Sequence, residues 1–400
     1  MKILIVVGAC LKVNSSANLC HRSYINGFIK AGHNVTVISM SDKGQIIDKS
    51  IKLPIGAKYF EYDSSILLKL FNANKRKNLN KDMENGSKSL KTVIFTKMRK
   101  IILSLYGIWG YQKAWIDNVV KNFSCNKKFD LLISISSPVP SHVAANKLLK
   151  RKKIKCEKFC EIWEDPWQYD IYKETIDEKK LNIEEKITNF ADKIIYVSPI
   201  TMNIQKNIFK SSSDKMDWCP LPYYYKEETK NIKEKNKVYG YFGDYFPITR
   251  NLEPFYNAAK ELGIPVNICG MPSTLFSETD NITINDRLPL NELKKYEDCT
   301  DVLVFVCNLK GGQIPGKIYQ YSASNKYILF ILDGTKEEKE IIKKYFEKFN
   351  RYIFCENNSE DIKRAINLIE NNEVKNIENK IVDYFEPKNI AEIIINKVFN

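Results

Sequence analysis

Two doubly wound α/β domains facing each other across a cleft are what this 400-residue sequence predicts. Three observations carry that expectation. Short apolar runs, of the kind that form strands buried on both faces, alternate with segments of helical spacing through both halves of the chain. A charged stretch without apolar periodicity, Lys226–Lys237, separates the halves as a linker. The segment Asp301–Leu332 then reads as strand, glycine-rich loop, short helix and strand, an order that sets a ligand at the carboxyl end of a strand.

The first half opens with an apolar strand at Lys2–Gly8, a helix over Asn14–Ala31 with Gly32 as a left-handed stop, and a strand at Val35–Ile38. That is a βαβ unit with a right-handed crossover expected. Its first loop, Ala9–Ser16, has no G-x-G-x-x-G, so a dinucleotide cofactor is not expected. Residues 63–123 interrupt the alternation with a basic insertion. Within it, Phe95–Trp115 sets basic residues beside Leu, Ile, Trp and Tyr at helical spacing, which suits an interfacial helix on anionic lipid. The alternative is a domain helix whose apolar face is core. Strands follow at Asp130–Ser134, Lys158–Ile162 and Lys193–Val197, with helices at Val143–Leu149 and Ile183–Phe190; Trp218–Pro222 reads as a proline-punctuated connection.

The second half gives strands at Val238–Phe242, Ile264–Cys269, Ile282–Ile284, Val302–Cys307 and Tyr352–Cys355. Helices are expected at Arg250–Leu262, Asn291–Tyr296, Lys336–Phe349 and Glu360–Glu370, and a last helix in 381–400 packs back toward the first half. The loop Asn308–Gly316 contains three glycines and a proline, so its backbone can approach a ligand closely. Pro315 suits a first helical turn, Lys317 adds a charge to the helix start, and Asn325 stands where a left-handed cap is wanted. This is a place for a phosphate.

A net charge of +14 favours a polyanion, an anionic surface or a phosphorylated substrate. The lysines are dispersed and no nucleic-acid module is present, so nucleic acid is not expected as a partner. Ten scattered cysteines without a Cys-x-x-Cys pair, and only three histidines, argue against a zinc site and for a reducing cytosol. Met1–Val13 reads as a buried first strand rather than a leader, and no apolar run reaches membrane length. A cytoplasmic protein, peripheral at most on the inner membrane face, is expected.

In the first half the loop Ser136–His142 and the run Trp163-Glu164-Asp165-Pro166-Trp167 follow strands. Aromatic faces beside carboxylates suit sugar rings and their hydroxyls; the alternative is a polar loop with buried aromatic anchors. His21, on the first helix, reads as structural.

The layout resembles a GT-B glycosyltransferase, and the second half resembles the retaining glycosyltransferase family 4. The segment Ile314-Pro315-Gly316-Lys317-Ile318-Tyr319-Gln320-Tyr321-Ser322-Ala323-Ser324-Asn325-Lys326 is similar to that family's P-x-K-x-Y-E-Y-x-A-x-G-K pattern. Tyr241-Phe242-Gly243 followed by Arg250 is similar to its strand–Gly–Arg element, and Ala191–Ser198 matches more loosely. The resemblance implies a donor-binding domain over 238–380 and an acceptor domain over 1–225. It implies Arg250 and Lys317 as cations on a donor diphosphate, without a metal or other cofactor. Gly243, Gly311, Gly312, Gln313, Ile314 and Gln320 would form the rest of the donor site. On the acceptor side, Asp165 and His142 are candidates for the chemistry and Glu164, Trp163 and Trp167 for holding a glycan or lipid-linked acceptor. Two departures stand out. The family's Glu-x7-Glu pair is Gly312 and Gln320 here, and Asn325 replaces a glycine. These motivate the alternative of a catalytically silent, nucleotide-sugar-binding or scaffold module.

Overall fold

The computed structural model describes residues 1–65, 107–170, 175–228, 236–310 and 312–400. Most of the basic insertion, part of the linker and Gly311 lie outside them. The first half forms a parallel sheet of β1 (Lys2–Val7), β2 (Asn34–Met40), β3 (Ala57–Tyr62), β4 (Phe129–Ser136), β5 (Cys156–Trp163), β6 (Lys193–Tyr196) and β7 (Met216–Trp218), in the order β3-β2-β1-β4-β5-β6-β7. The second half forms another, of β8 (Tyr239–Phe242), β9 (Val266–Cys269), β10 (Ile282–Asn285), β11 (Val302–Val306), β12 (Tyr327–Leu332) and β13 (Ile353–Glu356), ordered β10-β9-β8-β11-β12-β13. The strand order reverses direction beside β1 and β4 in the first sheet and beside β8 and β11 in the second. Ligands of open parallel sheets sit outside the carboxyl ends of strands at such reversals.

The strands form where apolar runs are long enough to be covered on both faces. Ile3–Val7 and Val302–Val306 are buried throughout. Helix α1 (Ser16–Lys30) starts where the Ser15 hydroxyl accepts from the Asn18 N–H, and it stops before Gly32, whose φ is +83°. The connection after β6 holds a helix that the sequence reading passed over. Ser198 caps it and Pro199 fills its first turn, an arrangement that suits a proline with no N–H to donate.

Several expectations need correction. Helix α2 (Gln112–Asn122) carries Trp115 fully into the core, where the indole N–H donates to the Ser39 carbonyl at 3.3 Å. That end of the amphipathic stretch therefore belongs to the domain and not to a lipid face; Phe95–Tyr106 lies outside the described residues. The helix after the glycine-rich loop spans only Lys317–Tyr321 and is closed by Ser322 in a right-handed conformation. Asn325 is not among the positive-φ residues, so it is no left-handed cap.

The last helix (Pro387–Phe399) returns to the first sheet and lies along α1. The approach is closest at Gly27, where an added Cβ would fall on the Pro387 carbonyl oxygen and 2.6 Å from its carbon. Lys397 adds an ion pair to Asp217 at 2.8 Å. Gly27→Ala is expected to push the two helices apart and to cost about 1–3 kcal/mol in a urea melt, the range of an overpacked contact. A melt unchanged from the parent would show that the helix is free to shift.

Candidate active site

On the second sheet the site begins where β8 ends. Gly243 donates to the Cys269 carbonyl at 3.0 Å, and a side chain placed on it would project to within 3.8 Å of the Arg250 guanidinium. Arg250 is held by the Asp244 carbonyl (2.7 Å), the Tyr241 hydroxyl (3.2 Å) and the Asn308 Oδ1 (2.8 Å). Lys317 opens the short helix after the loop, and its ammonium lies 3.2 Å from Glu297 Oε1, with Tyr225 O–H donating to the other carboxylate oxygen at 3.3 Å. Arg250 and Lys317 border one narrow cleft with Gly243, Phe305, Pro315 and Tyr321. Two cations at the carboxyl ends of neighbouring strands make an anion site.

The loop between β11 and that helix is pinned from both domains. Asn308 donates its amide to the Gln313 carbonyl at 2.9 Å while accepting from Arg250. Ser198, at the start of the helix after β6, donates its hydroxyl to the Gly312 carbonyl at 2.5 Å. Gly312 has φ +66°, and an added Cβ would lie 2.7 Å from Ile200 Cβ, so only glycine fits against that helix. Gln313 reaches across and donates its side-chain amide to Asp165.

Two donor-side expectations change. Ile314 is buried in the apolar core, with its side chain packed among core residues rather than lining the cleft. Gln320 is buried as well: its Oε1 accepts from the Tyr224 N–H at 2.8 Å and its Nε2 donates to the Tyr225 carbonyl at 3.0 Å. It fastens the chain entering the linker, and both ends of its amide are engaged there. Gly311 lies outside the described residues.

On the first sheet, Glu164 and Asp165 follow β5. Burial, reinforced by the charges of Glu164 and Asp170, pushes the Asp165 carboxyl up to about 7 against the opposing bond from Gln313. Glu164 lies 3.5 Å from His21 Nε2 on α1. Trp163 and His142, in contrast, are fully buried and stacked on each other at 4.3 Å, with His142 Nδ1 bound to Ser134 Oγ at 2.6 Å. Burial lowers His142 to about 3, so it stays neutral at working pH. Neither residue offers a face or a proton to a substrate, which corrects their expected roles. Trp167 stacks on Trp109 at 5.2 Å, and its N–H is tied to Glu184.

The sequence reading missed Asn308, Glu297, Ser198 and the partnership of His21. Ser198-Pro199 carried a helix-start signal; the others are single polar residues whose roles come from neighbours far along the chain. Among the described residues, no three His, Cys, Asp or Glu side chains gather as metal ligands.

No family model and no curated protein matches this sequence. Solved structures do match its shape. HepE of Anabaena, in complex with UDP and glucose, is 11% identical, aligned over 100% of this chain and 95% of its own, with a TM-score of 0.55. Sucrose-phosphate synthase of Thermosynechococcus elongatus is 12% identical over 100% and 95%, at 0.54. A glycosyltransferase of Rickettsia africae ESF-5 is 12% identical over 99% and 94%, at 0.52. At such identities the likeness defines the architecture, and that architecture is GT-B: two Rossmann-like domains with parallel sheets of seven and six strands.

Because Asp165 is raised from 3.8 to about 7, the native protein keeps a proton there that the unfolded chain releases. Stability contributed by that proton is present at acid pH and is lost as pH rises through about 7. Asp165→Asn removes the dependence. The variant is expected to be more stable than the parent near pH 8, on the order of 2–4 kcal/mol, and equal to it near pH 4. Urea melts across that range measure the difference.

Proposed function

We propose that the protein is a glycosyltransferase that moves a sugar from a nucleotide-sugar donor to a glycan or lipid-linked acceptor in cell-surface polysaccharide synthesis. The observation that carries this reading is the pair Arg250 and Lys317 bordering one cleft at the strand-order reversal of the second sheet. A departing diphosphate gathers negative charge as the sugar leaves, and two fixed cations stabilise that charge more in the transition state than in the ground state. They supply what a divalent metal provides in other transferases, so turnover is expected without one. Retention of anomeric configuration follows from the family resemblance of the Ile314–Lys326 segment. The UDP and glucose bound to HepE make uridine donors the first to try.

In the free protein Lys317 is already compensated by Glu297. A diphosphate therefore takes the ammonium from a carboxylate and not from water. The acceptor side falls to Glu164 and Asp165, which face the donor loop from the first sheet through the bond between Gln313 and Asp165.

Arg250→Ala and Lys317→Ala are each expected to reduce release of nucleoside diphosphate from the donor by on the order of 10²–10³-fold, with the parent unaffected by EDTA. Full turnover in both variants would remove the cationic pair from the mechanism. Donor should also raise the melting temperature of the parent, because it binds only the folded chain.

The net charge of +14 and the basic segment within 63–123 support peripheral contact with the inner face of an anionic membrane. No helix among the described residues is long and apolar enough to cross a membrane. Pelleting with anionic but not neutral vesicles is expected, and it should be lost when Lys97, Arg99 and Lys100 are changed together to alanine. Equal pelleting by that triple variant would overturn the assignment of the contact to this cluster.

A further inference from the structure

His21 on α1 and Glu164 after β5 meet next to Asp165, and both are buried: His21 has no exposed surface and Glu164 only 8%. Asn18, one turn earlier on α1, decides what His21 can do. Its Nδ2 donates to the Cys10 carbonyl at 3.0 Å and to the Val13 carbonyl at 3.1 Å. Turning the amide over would set its oxygen against two carbonyl oxygens, so Oδ1 is the atom that lies 3.3 Å from His21 Nδ1. An amide oxygen only accepts, and Nδ1 therefore carries a hydrogen.

That leaves His21 Nε2 facing Glu164 Oε1 at 3.5 Å, and among the described residues neither atom has a hydrogen-bond partner. With no proton between them, a ring lone pair would face a carboxylate in a buried place, where both atoms are costly to leave unsatisfied. One proton turns the repulsion into a bond, either as imidazolium and carboxylate or as imidazole and carboxylic acid. The other titratable groups around the pair are Cys20, Arg22 and Tyr24 on α1, Tyr224 at the linker and Asp165 after β5. Among the described residues the one cation in this set, Arg22, directs its Nη1 to the Leu11 carbonyl at 2.5 Å.

We infer that His21 and Glu164 share a single proton, and that His21 is thereby the positioning residue of the acceptor-side carboxylate. The shared proton fixes the rotamer of Glu164 and leaves the pair, taken together, uncharged. A neutral pair suits the hydroxyl of an uncharged sugar, whereas a lone carboxylate beside Asp165 would repel its neighbour. What Glu164 holds rests on the glycosyltransferase reading; the shared proton does not.

The chain has only three histidines, so nitrogen-15 histidine labelling of the whole protein reads each ring separately. In the parent, His21 is expected to show a protonated Nδ1. In Glu164→Gln its Nε2 resonance is expected to shift while those of His33 and His142 stay in place. A bare Nδ1 in the parent, or an Nε2 resonance unmoved by Glu164→Gln, overturns the shared proton. The parent spectrum needs no variant, so a substitution that fails to fold does not remove the test. On the functional side, His21→Gln is expected to raise the acceptor KM about tenfold with a smaller effect on kcat. An unchanged KM overturns the positioning role. Absence of turnover from any sugar nucleotide by the parent would defeat the glycosyltransferase reading instead, and the nitrogen spectrum would still decide the proton.

Discussion

The loop from Asn308 to Gly316 takes its shape from both sheets, and the rest of the site follows from that constraint. Its carbonyl at Gly312 is held by the Ser198 hydroxyl from the first domain, and the same residue has a left-handed backbone that no side chain would tolerate against Ile200. Gln313 is drawn to Asp165, and Asn308 ties the loop back to Arg250. One short segment thus sets the spacing between the cations of the second sheet and the carboxylates of the first. Proximity of that kind is what converts a bimolecular step into an intramolecular one.

Within this frame the two cations are compensated in different ways. Arg250 rests on an amide oxygen, a hydroxyl and a backbone carbonyl, whereas the partly exposed Lys317 rests on a buried carboxylate, Glu297. The carboxylate also keeps the site from attracting any passing anion at full strength. Glu297 itself is anchored by the Tyr225 hydroxyl, and the same stretch of chain is fastened through Gln320. The chain entering the linker and the carboxylate beside Lys317 are therefore joined through Tyr225.

The parallel strands were legible because burial on both faces demands continuous apolar runs, as in Ile3–Val7 and Val302–Val306. The two outer strands of the first sheet were not. β3 is only partly covered, and β7 is three residues long, so neither leaves a run to read. The site was half legible. Gly243, Arg250 and Lys317 are expected from the family resemblance of their segments, and the structure sets all three along one cleft. Trp163 and His142 were not legible: the last residue of β5 and a buried face of the helix Pro140–Lys150 stack on each other, and their polarity or size gave no hint of which way they point. Gln320 shows a subtler limit. A carboxylate can only accept hydrogen bonds, but this side chain must accept from the Tyr224 N–H and donate to the Tyr225 carbonyl. The amide satisfies both bonds, which a carboxylate at this position would not.

The acceptor side depends on proton placement, which a linear sequence does not carry. Glu164 and Asp165 are adjacent, buried and of like charge, and two such carboxylates cannot both ionise freely. Each is relieved by a different partner from a distant part of the chain. Asp165 meets an amide from the donor loop and is raised toward neutrality; Glu164 meets an imidazole whose other nitrogen is already committed to Asn18. The separation of roles between two neighbouring carboxylates thus originates in helix α1 of the first domain and the donor loop of the second, which approach them from either side. The bond from the Gln313 amide lowers the Asp165 carboxyl against burial and the charges of Glu164 and Asp170.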